Sequence, residues 1–112
     1  MRMRTLMSAA ALAAATLAPV AALDAPANAA SGKTWNRLAQ CESGGRWHIN
    51  THNGYFGGLQ ISRATWRGYG GGKFARFPHR ASRAEQIRIA ERIKRGQGWG
   101  AWPACSARIG VR

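Results

Sequence analysis

Apolar and polar residues follow three different rhythms along the chain, and each marks a segment. Residues 6–23 are almost continuously apolar and Ala-rich, preceded by the basic "MRMRT" and followed by the small residues "ANA". That layout is a cleaved secretory leader rather than a membrane span, with cleavage after Ala29, so residues 1–29 read as a signal peptide and 30–112 as one small exported domain. From Thr34 to Glu42 the rhythm turns helical, with Trp35, Leu38 and Ala39 on one face, Thr34 as N-cap and Gly44 or Gly45 as the stop. Trp47, Ile49 and Thr51, then Tyr55, Gly57, Leu59 and Ile61, alternate instead around Asn53-Gly54, the pattern of a short β-hairpin.

Ser62 is placed to cap a short helix through Thr65 and Trp66 that ends in the glycine-rich "GYGGGK", after which no period is visible up to Ser82. A second long helix is expected from Ser82 to Arg95, with Ser82 and Glu85 as a capping box, Gln86, Ile89, Ala90 and Ile93 facing inward, and Gly96 as its end. The tail is rich in glycine and tryptophan. Together these elements predict a small compact α+β domain, mainly helical.

The expected mature chain of 83 residues buries too little to be stable on its core alone. Cys41 and Cys105 are the only cysteines, and an exported chain can oxidise them; closing a loop of that length is worth about 4 kcal/mol. One Cys41–Cys105 disulfide is therefore expected, against two free buried thiols. The bridge would bring Trp99 and Trp102 towards Glu42. Without the leader, 15 basic residues face only Glu42, Glu85 and Glu91, a formal charge of +12. Such a balance suits a polyanionic neighbourhood, and the leader argues against nucleic acid and for an envelope carrying phosphate polymers.

With so few acids, each can be asked what it does. Glu91 lies within helical reach of Arg88, Lys94 and Arg95 and reads as a salt-bridged surface residue, and Glu85 is explained by its cap. Glu42 continues the apolar face of its helix in the last turn, where the negative end of the helix dipole and apolar neighbours both raise a carboxyl pKa. A plain pairing with Arg37 or Arg46 is the alternative. A raised carboxylic acid followed by a glycine turn, Tyr55 and tryptophans is how a sugar cleft with a general acid is built, because aromatic faces stack on pyranose rings. Glycoside hydrolysis ordinarily uses two carboxylates. One alone favours a route in which the substrate supplies the second group, by its N-acetyl group or by an intramolecular hydroxyl. His48 and His52 are spaced i,i+4 but lie on the predicted strand leading into the Asn53-Gly54 turn, and His79 is in a loop, so a zinc site is not expected; no phosphate loop matches, and no cofactor or metal is expected.

The stretches "CESGGRWHINTHNGYFGGLQIS", "EQI" and "GQGWGAWPACSARIG" resemble the resuscitation-promoting factor domain of actinobacteria, from about Trp35 to Gly110. The resemblance implies a lysozyme-like fold and a secreted, wall-associated muralytic enzyme, either a lytic transglycosylase or a lysozyme-like hydrolase. It further implies a role in wall remodelling and in waking dormant cells. The bond would be the β-1,4 link between N-acetylmuramic acid and N-acetylglucosamine. By position, the resemblance puts the catalytic glutamate on Glu42, the disulfide on Cys41 and Cys105, and glycan contacts on Asn53, Tyr55, Gln60, Thr65, Trp66 and Gln97. Gly44, Gly57 and Gly58 would admit the glycan close to the backbone. His52 departs from the family, which often has Gly there, and "FARFPHRASRAEQI" lacks an acid usual in that stretch. The partners that the resemblance implies are peptidoglycan glycan strands and a peptidoglycan endopeptidase; anionic wall polymers are expected instead from the +12 charge, and nothing in the sequence suggests more than a monomer. The competing reading is a non-catalytic peptidoglycan-binding module in which Glu42 is structural.

Overall fold

The computed structural model describes residues 29–111; the expected leader lies, up to residue 28, outside them. Four α-helices and three single 3₁₀ turns carry the described chain: α1 (Gly32–Ser43), α2 (Arg63–Gly68), α3 (Arg83–Gln97) and α4 (Pro103–Ile109). Helix α1 starts three residues earlier than the sequence suggests, because Ser31 rather than Thr34 is the cap and its hydroxyl accepts from Thr34 N. It ends as expected, with Gly44 in the left-handed region at φ 67°. Ser62 caps α2, and Ser82 and Glu85 form the complete capping box of α3. Helix α3 runs through Gly96 to Gln97 and is capped by Gly98; Gly96 stays helical with the Tyr69 ring against it.

The expected hairpin is reduced to two isolated antiparallel bridges, Asn50 with Phe56 and Phe56 with Ile61. Left-handed backbone at His52 (φ 62°), Gly54 (φ 91°), Gly57 (φ 80°) and Gln60 (φ 55°) curls the segment, so no ladder can propagate. Side chains hold it instead. The fully buried Gln86 accepts from Gly58 N at 3.0 Å and donates to Trp47 O at 2.8 Å and Ala81 O at 3.0 Å. Burying an amide is tolerable because both its ends are satisfied.

The core gathers the inner faces of α1 and α3 with Leu59, Ile61, Trp66 and Trp102. Ile89, Ala90 and Ile93 are buried as their spacing predicts. Glu91 departs from the sequence reading: only 8% exposed, it accepts from Trp35 Nε1 at 2.7 Å and Ala30 N at 2.9 Å and pairs with Lys94 at 3.7 Å. Its basic helical neighbours suggested a surface site, but the indole that claims it lies 56 residues away in sequence. Trp35 in turn packs on Trp99 and Trp102, ring centroids 5.1 and 5.4 Å apart. The Cys41–Cys105 disulfide joins the end of α1 to α4. Among the described residues no helix is long and apolar enough to cross a membrane.

Candidate active site

Three ties frame the last turn of α1, two made by its own residues and one beside it. The disulfide holds Cys41 to α4; the Ser43 hydroxyl, shared with Ala39 O, reaches Gly58 O at 2.9 Å; and Trp102 Nε1 donates to Leu59 O at 2.9 Å, joining the start of α4 to the irregular segment. Between these ties Glu42 enters a groove of ≈ 640 Å³, open mouth included, lined by Glu42, Asn53, Tyr55, Gln60, Ala101, Trp102 and Pro103. Through Tyr55, Gln60, Ala101 and Trp102 it continues into a narrower stretch of ≈ 330 Å³ bordered by Ser62, Thr65, Ile93 and Gln97.

Glu42 is half-buried, and its carboxyl makes no hydrogen bond or ion pair among the described residues. Both arginines that could have neutralised it are used elsewhere: Arg37 Nη2 donates to Ile109 O at 2.8 Å and Arg46 Nε to Ser43 O at 2.8 Å. Burial pushes the Glu42 carboxyl above the usual carboxylate range. Its place in the last helical turn acts in the same direction, since the terminal carbonyls disfavour negative charge. The other two acids of the described chain are committed, Glu85 to Ser82 N at 2.9 Å and Glu91 to the core. A carboxyl whose pKa is raised, which has no partner among the described residues and which borders an open groove has the properties that a proton donor needs.

Five of the six expected contact residues line this groove. Asn53 Oδ1 accepts from Tyr55 N at 3.0 Å, which turns the chain so that Tyr55 stands 51% exposed at the rim. Gln60, in left-handed backbone, accepts from Asn53 Nδ2 at 3.4 Å and donates to Gly57 O at 3.0 Å. Thr65 Oγ1 accepts from Ser62 Oγ at 3.0 Å and so keeps its own proton for the groove, and Gln97 Nε2 donates to Tyr69 Oη at 3.4 Å.

Trp66 is the exception and a correction. It is fully buried, its Nε1 donates to Ala75 O at 2.8 Å, and Gly71 lies against its ring, so no face remains for a ligand. Gly57 and Gly58 are likewise glycines for an internal reason: a Cβ would meet Gln86 Oε1 at 2.5 Å in the first case and collide with the Trp47 ring in the second. Gly44 is required by its φ. Trp102 lines the groove with Glu42, as the disulfide leads one to expect, while Ala101 and Pro103 beside it are lining residues that the tail's lack of periodicity hid; Trp99, expected there too, packs on Trp35 and is not among the lining residues. Among the described residues no three His, Cys, Asp or Glu side chains converge as a metal site.

A family model described as "Transglycosylase-like domain" matches residues 29–105. The chain is similar to resuscitation-promoting factor Rpf1 of Corynebacterium glutamicum, 58% identical over 103 residues, which is 89% of this chain and 53% of the relative. It is also similar to resuscitation-promoting factor Rpf of Micrococcus luteus (52% over 98 residues, 86% and 43%) and to RpfE of Mycobacterium tuberculosis (50% over 92 residues, 82% and 52%). The chain thus spans about half the length of these curated relatives.

Proposed function

The chain belongs to the transglycosylase-like domain family, and from that premise we propose that it is an exported enzyme that cleaves the glycan strands of peptidoglycan. The bond is the β-1,4 link between N-acetylmuramic acid and N-acetylglucosamine, and Glu42 is its general acid. The observation that carries this reading is the state of Glu42: half-buried, unpaired among the described residues, raised by burial and open to a groove that continues past Tyr55 and Gln60 to Thr65 and Gln97.

In the reaction the Glu42 carboxyl gives its proton to the glycosidic oxygen as the C1–O4 bond breaks, and the muramyl ring takes on oxocarbenium character. With Glu85 and Glu91 committed elsewhere, no second carboxylate of the described chain supplies a base or nucleophile across the sugar. This favours attack on C1 by the muramyl 6-hydroxyl, whose proton passes to the Glu42 carboxylate and restores the acid. The product is a 1,6-anhydro end, and proximity makes up for the missing group. Asn53, Tyr55, Gln60, Thr65 and Gln97 hold the glycan, with Tyr55 stacking on a ring face. The similarity to resuscitation-promoting factors supports a role in wall remodelling and the recovery of dormant cells.

Mass spectrometry of material released from purified sacculi, for the parent and for Glu42→Gln, tests this. Glu42-dependent fragments one water lighter than hydrolytic products are expected. Reducing ends would replace the 6-hydroxyl by water, and no Glu42-dependent release from a variant that still binds would leave a binding module.

A further inference from the structure

Helix α2 has two working sides. Ser62 and Thr65 border the groove, whereas Arg63 and Arg67, one turn apart, line a separate shallow cavity of ≈ 570 Å³ with Gly72 and Arg76. The cavity shares no lining residue with the groove and contains no carboxylate. All three acids of the described chain sit elsewhere, in the groove, at the α3 cap and in the core.

These guanidinium groups are arranged as well as concentrated. Arg63 and Arg76 both lie over the Phe77 ring, 5.1 and 5.9 Å from its centroid, and Phe77 is itself held against Phe56 and His79. Arg63 Nε is shut off from solvent without an acceptor, and the Arg67 side chain makes no hydrogen bond, ion pair or ring contact among the described residues. Three like charges held around one cavity repel one another, and an anion in the cavity reverses the sign of that term. Planar guanidinium forks suit an anion with several oxygens, above all a phosphate, which each can bind through two parallel hydrogen bonds.

We propose that Arg63, Arg67 and Arg76 form a phosphate-binding site on the flank of the domain, whose ligand is the phosphodiester of an anionic polymer attached to the wall. The choice of a wall polymer rests on the reading of the groove as a glycan site: the same α2 would then carry glycan on one side and its phosphate-bearing attachment on the other. The phosphate chemistry itself does not depend on Glu42.

Retention on purified sacculi is measured in the Glu42→Gln background, so that cleavage cannot release the protein and failure of the cleavage reading leaves this readout intact. The triple change Arg63→Gln, Arg67→Gln, Arg76→Gln should lower retention about tenfold or more. A control triple of equal charge loss at the exposed Lys33, Arg88 and Arg95 should lower it no more than about twofold. Removing wall phosphodiesters with cold hydrofluoric acid should abolish the difference between the triples. Inorganic phosphate, titrated at constant ionic strength, should shift the Gly72 amide resonance in the parent and not in the site triple. If the triple does not fold, Arg67→Gln alone, which breaks no contact, should cost about threefold. Equal losses from the two triples would reduce the effect to net charge and overturn the site. A difference that survives phosphodiester removal would overturn the wall polymer as its ligand, and an unmoved Gly72 resonance would overturn the phosphate chemistry.

Discussion

Replacing Glu91 should destabilise the domain more than its outward-looking sequence neighbours suggest. In Glu91→Ala the indole N–H of Trp35, a residue wholly excluded from solvent, loses its acceptor at 2.7 Å. An orphaned buried donor costs about 1–3 kcal/mol. Ala30 N, only half-buried, can recover water, so that bond adds about 1 kcal/mol. The methylenes no longer buried add about 1 kcal/mol. The expected loss is about 4 kcal/mol, which for a domain of this size is a fall in Tm of about 15–30 °C. Glu91→Gln keeps an oxygen within reach of the indole and should cost about 1 kcal/mol. Urea unfolding with the disulfide intact, followed by tryptophan near-UV circular dichroism, measures both variants. Trp35→Phe completes a double-mutant cycle with an expected coupling of about 1–2 kcal/mol. A Glu91→Ala loss under about 0.5 kcal/mol, or a Gln variant as damaged as the Ala one, would refute the buried-acceptor account.

Glu42→Gln, inactive by the proposed mechanism, should be the more stable protein at neutral pH. Because the folded Glu42 pKa lies above its unfolded value, the parent loses stability as pH rises from the ordinary carboxyl range through the raised value, and the glutamine variant does not. Thermal melts of both proteins across that interval should diverge with rising pH; parallel curves would contradict the raised pKa. Gly58→Ala should cost about 2 kcal/mol, because its methyl collides with the Trp47 ring. The cost should shrink in a Trp47→Leu background, as read from urea midpoints, and an unchanged cost would place the strain elsewhere.

Much of this arrangement could be read from the sequence where local rules govern it. The Ser82–Glu85 box, the inward face of α3 and the left-handed stop at Gly44 follow from short-range spacing, and the two cysteines had only each other. Glu42 stood out because the other acids had local explanations. One of those explanations was incomplete: Glu91 has the helical neighbours of a surface residue, and only the indole of Trp35, brought in from α1, shows that it belongs to the core. The alternation of residues 47–61 looked like a hairpin because the pattern records which side chains turn inward. It does not record that left-handed backbone at His52 and Gln60 replaces the strands. Gly57 and Gly58 illustrate a related limit of local pattern, since a Gly that makes room for a neighbouring Gln or Trp has the same local signature as one that makes room for a ligand.

The irregular segment has a consequence for how such a groove can diversify. Its ends are fastened at Trp47 and Gly58 by one glutamine and one serine, and residues 51–55 between them are exposed. A β-ladder would transmit any insertion as a register shift along the whole wall of the groove, turning every side chain over. Clasps at the ends of the segment and two isolated bridges carry no such register. Lengthening or rewriting the stretch that carries Asn53 and Tyr55 leaves Gln86, Ser43 and the helix bearing Glu42 where they are, so under the proposed function the choice of glycan can drift while the acid stays in place.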